Sequence, residues 1–149
     1  MKVRQILRAV EAALSPRVLH AEFGPRDNIS LVADSDLSAK QYGIVAVTSG
    51  SINLCHQALT AVDPGIAGVL QNAPRSGEPA TVSYAGFAKV VAGGAIGVNV
   101  FFGSNTSGKA QVVNSGDMVL GRTLEAATAD KDVISVLLIP PIRWSGAAT

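Results

Sequence analysis

The sequence predicts a mainly β protein: a small β-barrel-like domain with an N-terminal helix or arm. Short apolar segments recur at spacings of roughly ten residues, which is typical of sandwiches and barrels. Turn clusters rich in glycine, serine and asparagine separate these segments, among them residues 74–77, 104–108 and 114–117. The 149 residues suit a single domain, since domains usually contain about 100–200 residues.

The first fourteen residues are predicted to form a helix. Their apolar side chains recur at helical spacing, with polar residues on the opposite face; they are Val3, Ile6, Leu7, Val10 and Leu14. Pro16 ends the helix, because proline disfavours helical geometry in the residue before it. Residues 1–28 are therefore interpreted as a basic helix or arm with a linker, residues 29–139 as the β domain, and residues 140–149 as a C-terminal tail.

Ten strands are predicted from apolar segments bounded by turn residues. They are residues 29–33, 42–48, 51–55, 65–71, 80–85, 87–91, 98–102, 110–113, 118–125 and 132–139. A weak internal repeat relates residues 68–84 to residues 121–137, each reading as strand, turn with an acidic tip, and strand. The repeat is either one hairpin packed twice into a barrel or the ordinary pattern of small β proteins.

Composition and charge limit the kinds of partner. Charged residues make up 15% of the chain, against about 25% in typical domains, which favours a surface partly covered by other chains. The net charge of +1 argues against nucleic acid as the main partner, because phosphate binding needs clustered Lys and Arg. Residues 1–26 hold five basic and two acidic side chains. This basic arm either meets an acidic protein surface or reflects ordinary scatter of charge.

The sequence shows no recognisable catalytic, cofactor or metal motif, so the expectation is a protein that is not an enzyme. His20 and His56 lack a partner motif, and no Gly-x-Ser-x-Gly elbow is present. Gly93 and Gly94 precede a predicted strand and not a helix, which excludes a phosphate-binding loop. Cys55, the single cysteine, is predicted to face the core.

Membrane insertion and export are not expected. No apolar run approaches the roughly 18 residues of a membrane span. Arg8 and Glu11 interrupt the region where a signal peptide needs apolar residues.

A series of motifs resembles the phage capsid decoration (cement) proteins. In order, they are residues 36–42 (DLSAKQY), 68–72 (GVLQN) with Pro74, 77–82 (GEPATV), 89–93 (KVVAG), 108–110 (GKA), Gly121, 124–127 (LEAA) and 132–138 (DVISVLL). The resemblance implies a β-tulip-like barrel without catalysis or cofactor. It also implies a virion protein, made in the bacterial host cytoplasm, that binds the major capsid protein on the outer surface of the mature head and cements neighbouring subunits against internal DNA pressure. Copies assemble as homotrimers or dimers in similar proteins, with neither nucleic acid nor membrane as partner.

The predicted contact residues, towards the capsid or another copy, lie outside the resemblance. They are Lys2, Val3, Arg4, Ile6, Leu7, Arg8, Val10 and Trp144. The apolar residues of this set dock either on a neighbour or on the chain's own barrel. Trp144 follows Pro140 and Pro141, which are not expected to extend a central strand, and it is buried either in an interface or by self-packing. The other functions considered are an oligomeric β component of a phage tail or fibre base, and a small hydrolase or ligand-binding barrel.

Overall fold

The computed structural model describes residues 27–146, and this part of the chain is all β. Its nine strands are β1 (Asp27–Ala33), β2 (Ile44–Val47), β3 (Leu54–Gln57), β4 (Ile66–Leu70), β5 (Pro79–Gly93), β6 (Phe101–Ser104), β7 (Ala110–Val112), β8 (Met118–Thr123) and β9 (Asp130–Arg143). The prediction of a mainly β, barrel-like domain is confirmed. The predicted N-terminal helix lies outside the described residues. Among residues 27–146, no helix is long and apolar enough to span a membrane.

The strands close into two five-stranded barrels that share β5. The first barrel has the order β1-β3-β2-β4-β5 and closes where β5 pairs antiparallel with β1. The second has the order β5-β7-β6-β8-β9 and closes where β9 pairs antiparallel with β5. Closure pairs the edge strands of each sheet, which limits edge-to-edge aggregation.

The long strand β5 corrects one sequence prediction. Residues 80–85 and 87–91 were predicted as two strands, but they form one strand, Pro79–Gly93. Gly86 separates its halves: Ala85 pairs with Asp27 in the first barrel, and Gly86 pairs with Leu138 in the second. The φ of Gly86 is +83°, a conformation that glycine adopts without steric cost. The glycine therefore redirects a continuous strand and does not form a hairpin turn.

The last strand also differs from its prediction. It was predicted to end at Ile139 but continues to Arg143, so it includes Pro140, Pro141 and the first residues of the predicted C-terminal tail. Proline lacks the N–H that an inner strand must donate. Here β9 pairs only with β8, through Val119 opposite Ile142, and its other edge is free for the prolines. The strand predicted at 98–102 likewise begins later, at Phe101.

The internal repeat is present, with one copy in each barrel and not two in one. The hairpin β4–β5 in the first barrel corresponds to β8–β9 in the second. Each hairpin has a glycine, Gly68 or Gly121, that lies very close to the facing strand. A Cβ added at Gly68 would overlap the backbone oxygen of Ser83, and a Cβ added at Gly121 would overlap that of Leu137. The parallel pairs β1–β3 and β5–β7 correspond as well, so the repeat covers the whole barrel.

Side-chain contacts follow the same repeat. In the first hairpin, the Asn72 side-chain oxygen accepts the Thr81 N–H at 2.9 Å. In the second, Glu125 accepts the Ser135 N–H at 2.7 Å, and this backbone hydrogen bond holds the pKa of the Glu125 carboxyl below its ordinary value. Asp132 closes the second turn by accepting the N–H groups of Thr128 and Ala129 at 2.8 and 3.0 Å.

Asp132→Asn is expected to make stability less dependent on pH. Hydrogen bonds from the Thr128 and Ala129 N–H groups lower the pKa of Asp132. Its contribution to stability is therefore present above the ordinary pKa near 4 and is lost as pH falls through the lower folded value. Thermal melts from pH 6 to pH 2 should show wild type well above the variant at pH 6 and the two converging in acid. Parallel curves would contradict this role for the carboxylate.

Two buried clusters fill the barrels and the contact between them. One fills the first barrel and comprises Leu31, Ala33, Leu37, Val45, Cys55, Leu70, Ala80 and Val82. The other is centred on Phe102, Leu120 and Val136 of the second barrel, and it also takes in Ile44, Ala46 and Val69 from the first. Ile44, Ala46 and Val69 alternate along their strands with residues that face into the first barrel. The outer face of β2 and β4 therefore packs against the second barrel. The prediction that Cys55 faces the core is confirmed, and burial raises the pKa of its thiol.

Candidate interaction surfaces

An apolar strip crosses the outer face of the second barrel. Phe101 lies opposite Arg122, Arg122 opposite Leu137, and Leu137 opposite Phe87, and directly opposed residues project from the same face of a sheet. Phe87 and Phe101 are 53% and 46% exposed. We define the outer strip as the apolar residues of this face: Phe87, Phe101, Leu137, Ile139 and Trp144.

The outer strip contains a shallow apolar depression. Its volume is about 280 Å³, and Phe101, Arg122, Leu137 and Ile139 line it, with Gly121 among the lining residues. The guanidinium of Arg122 is directed by a hydrogen bond to the Asn99 side-chain oxygen at 3.1 Å. Exposed aromatic surface beside an arginine is the composition enriched in protein–protein contacts.

Trp144 lies at one end of the outer strip, immediately after β9. Its ring packs on Phe101 with centroids 5.7 Å apart and planes inclined by 35°. Its backbone is fixed by two hydrogen bonds, since its N–H donates to the Asp117 carbonyl at 2.7 Å and its carbonyl accepts the Gly116 N–H at 2.8 Å. The self-packing contact considered from the sequence is therefore present. The residue stays partly exposed, and its role in an interface remains a prediction.

The other predicted contact residues lie outside the described residues; they are Lys2, Val3, Arg4, Ile6, Leu7, Arg8 and Val10. Their docking remains a prediction. The first described residue, Asp27, begins β1 opposite Ala85, two residues from Phe87, so β1 begins beside one end of the outer strip.

Most of the outer strip was not identified from the sequence, although a signal was present. Phe101 and Phe102 are consecutive within a strand, and side chains alternate between the two faces of a strand. One phenylalanine therefore has to face outward: Phe102 is fully buried and Phe101 is exposed. Phe87 similarly precedes an inward-facing row, Ala88, Val90 and Ala92.

Asp34, Thr48 and His56 form a polar cluster with the three group types of a hydrolase triad: an acid, a hydroxyl and a histidine. The Thr48 hydroxyl donates to Asp34 Oδ2 at 2.6 Å and lies 3.0 Å from His56 Nδ1. Asp34 Oδ2 lies 3.8 Å from the same nitrogen. In a catalytic triad, the acid and the nucleophile occupy opposite ring nitrogens. Here both contact Nδ1, so the cluster links the ends of β1 and β2 to β3 without forming a triad.

Comparison with known proteins gives a likeness in fold. No protein-family model matches the chain, and no curated protein matches it with significant sequence similarity. Among solved structures, the chain is similar to the crystal structure of the head fiber gp8.5 N base of bacteriophage phi29. The TM-score is 0.58 at 19% sequence identity, and the match covers 74% of this chain and 92% of that chain. Nearly the whole of the phi29 base thus shares the fold described here.

Proposed function

We propose that the protein is a non-enzymatic structural component of a phage virion that binds the outer surface of the mature icosahedral head. There it cements neighbouring major capsid protein subunits against internal DNA pressure. The observation that carries the proposal is the fold likeness to the phi29 head fiber base, which spans 92% of that chain. The cement-protein motifs between residues 36 and 138 agree with it, because they lie in the two barrels.

Cementing requires contact with two or more coat subunits at once. Separation of capsomers must then also break the contacts of the bound protein, and standard interfaces bury about 800 Å² per partner. The two barrels offer separate outer faces joined by one continuous strand, β5. A homotrimer, or a dimer, raises the apparent affinity further, because later contacts form at high effective concentration.

The contacts fall on two parts of the chain. The outer strip supplies apolar and aromatic surface, including the packed rings of Phe101 and Trp144. The basic arm supplies Lys2, Arg4 and Arg8 for acidic coat residues, with an apolar stripe for a neighbouring chain. Selective binding to the expanded shell would bias the shell towards that state by mass action.

Co-sedimentation with heads tests this function. Purified protein is mixed with expanded, undecorated heads of its own phage, with unexpanded proheads as control. The expected result is saturable binding to expanded heads only, with Trp144→Ala weakening it about tenfold, within the range of interface aromatics. Failure of the folded wild type to bind either shell would contradict the function. Normal binding and oligomeric state in Trp144→Ala would remove only the role of Trp144.

A base for a head fibre is the second candidate, because the phi29 neighbour is the base of a head fiber. Both candidates bind the head, so binding alone does not separate them. A cement protein delays rupture of DNA-filled heads on heating, whereas a fibre base binds without changing the rupture temperature. Particle rupture followed by DNA-dye fluorescence, with and without the protein, distinguishes the two.

A further inference from the structure

A second surface feature, unrelated to the outer strip, is a lysine-lined cleft at the seam between the two barrels. Its volume is about 330 Å³. Two backbone hydrogen bonds hold the seam together, from the Ile44 N–H to the Gly108 carbonyl at 2.7 Å and from the Val91 N–H to the Tyr42 carbonyl at 2.9 Å. The cleft is thus built by both barrels.

The charge of the cleft is positive. Lys40, Lys109 and Lys131 line it. Lys109 Nζ donates to Asp130 Oδ1 at 2.7 Å, so one of the three cations has its counter-charge. Within residues 27–146, Lys40 and Lys131 form no ion pair, although Asp130 also attracts Lys131. Three lysines beside this one carboxylate leave the cleft with an excess of two positive charges.

The other lining groups are suited to a peptide. Gln41, Gln57 and Ser107 contribute polar side chains, and Gly43 and Gly108 line the cleft without side chains. A volume near 300 Å³ is at the small end for a ligand pocket, and the cleft is open to solvent. It accommodates one or two side chains presented from outside more readily than an enclosed small molecule.

We propose that this cleft binds an acidic segment of the partner protein, with carboxylate side chains reaching Lys40 and Lys131. The inference rests on the proposed function in naming the coat as the source of that segment. Attraction between the positive cleft and the acidic segment would then orient each molecule on the shell and accelerate association at low salt. The outer strip would supply the apolar part of the contact.

The test removes the two lysines of the cleft that form no ion pair. The variant combines Lys40→Gln with Lys131→Asn; asparagine is chosen because residue 131 has φ +73°, which asparagine tolerates better than most residues. The matched control combines Arg75→Gln with Lys89→Gln, which removes the same charge from exposed positions outside the cleft. The probe is a terminally blocked peptide of six glutamates, added to the full chain and followed by amide chemical shifts.

The expected result is saturable movement of the Gly43 and Gly108 amide signals in wild type and in the control. In the cleft variant the dissociation constant should rise about tenfold, the size expected from losing two exposed charge pairs. Absence of shifts at the cleft, or equal affinity in the cleft variant, would overturn the inference. Inorganic phosphate competing as strongly as the peptide would also overturn it, because the site would then select any small anion.

Head binding separates this inference from the proposed function. Wild type that fails to sediment with heads contradicts the proposed function, whatever the peptide result. Wild type and cleft variant that sediment equally, with the same dependence on salt, overturn the inference and leave the function standing. A cleft variant that sediments more weakly than the control, with a shallower salt dependence, supports both.

Discussion

Gly121→Ala is expected to lower the free energy of unfolding by about 3 kcal/mol or more, at the upper end of the range for overpacked sites. The added Cβ would overlap the Leu137 carbonyl oxygen, and it would lie 2.9 Å from both the Leu137 carbonyl carbon and the Leu138 Cα. All three atoms are backbone of β9, so no side-chain rotation relieves the clash. Urea unfolding followed by circular dichroism measures the loss.

Gly94→Ala is the matched control, because Gly94 has almost the same φ as Gly121, +157° against +156°, but no atom within 4 Å of an added Cβ. The control shares this φ without the clash, and we expect a cost of about 1 kcal/mol, the low end for a non-glycine residue in a sparsely populated region. Equal losses in the two variants would contradict the steric explanation. Gly68→Ala should behave like Gly121→Ala, because its Cβ would overlap the Ser83 carbonyl oxygen in the first barrel.

These glycines show how far the sequence predicts the fold. Gly68 and Gly121 begin the two segments of the predicted internal repeat, and the repeat is present. Its extent was not predictable from local pattern, because closure depends on pairings between distant segments, such as parallel β1 and β3 or β5 and β9. Strand periodicity reports which residues face a core; it does not report which strands are neighbours.

Two local sequence features predict the wrong structure, each for an identifiable reason. Gly86 was placed between two strands, yet a glycine with positive φ serves a kink as well as a turn, and only the pairing of β5 with β1 and β9 decides between them. Pro140 and Pro141 predict that the strand does not continue, yet β9 runs through both. That prediction applies to strands paired on both sides, and this end of β9 is paired on one side only.

The candidate surfaces were less predictable than the fold. Composition alone indicates the basic arm, but the outer strip and the lysine cleft bring together residues that are far apart in sequence. Phe87 and Phe101 share one face only because β5, β9, β8 and β6 are neighbours. Lys40 and Lys131 approach only because the two barrels meet along a seam.

The adjacent phenylalanines of β6 separate stability from binding. Phe102 is fully buried in the second barrel, and Phe102→Ala is expected to lose about 3–5 kcal/mol. Phe101 is 46% exposed and its ring packs on Trp144, so Phe101→Ala should lose only about 1 kcal/mol, the size of an aromatic pair. Urea unfolding of both variants measures this difference.

Head binding should show the opposite order: Phe101→Ala should weaken binding more than Phe102→Ala does. Phe101→Ala removes outer-strip surface from a protein that stays folded, so we expect weaker co-sedimentation with expanded heads and only the small loss of stability given above. Phe102→Ala, measured at low temperature where its folded fraction is still high, should bind with affinity close to wild type for each folded molecule. A folded Phe101→Ala protein that binds heads as wild type does would show that the outer strip makes no contact with the coat. The reverse order, with Phe102→Ala weaker per folded molecule, would mean that binding depends on the shape of the second barrel and not on its apolar face.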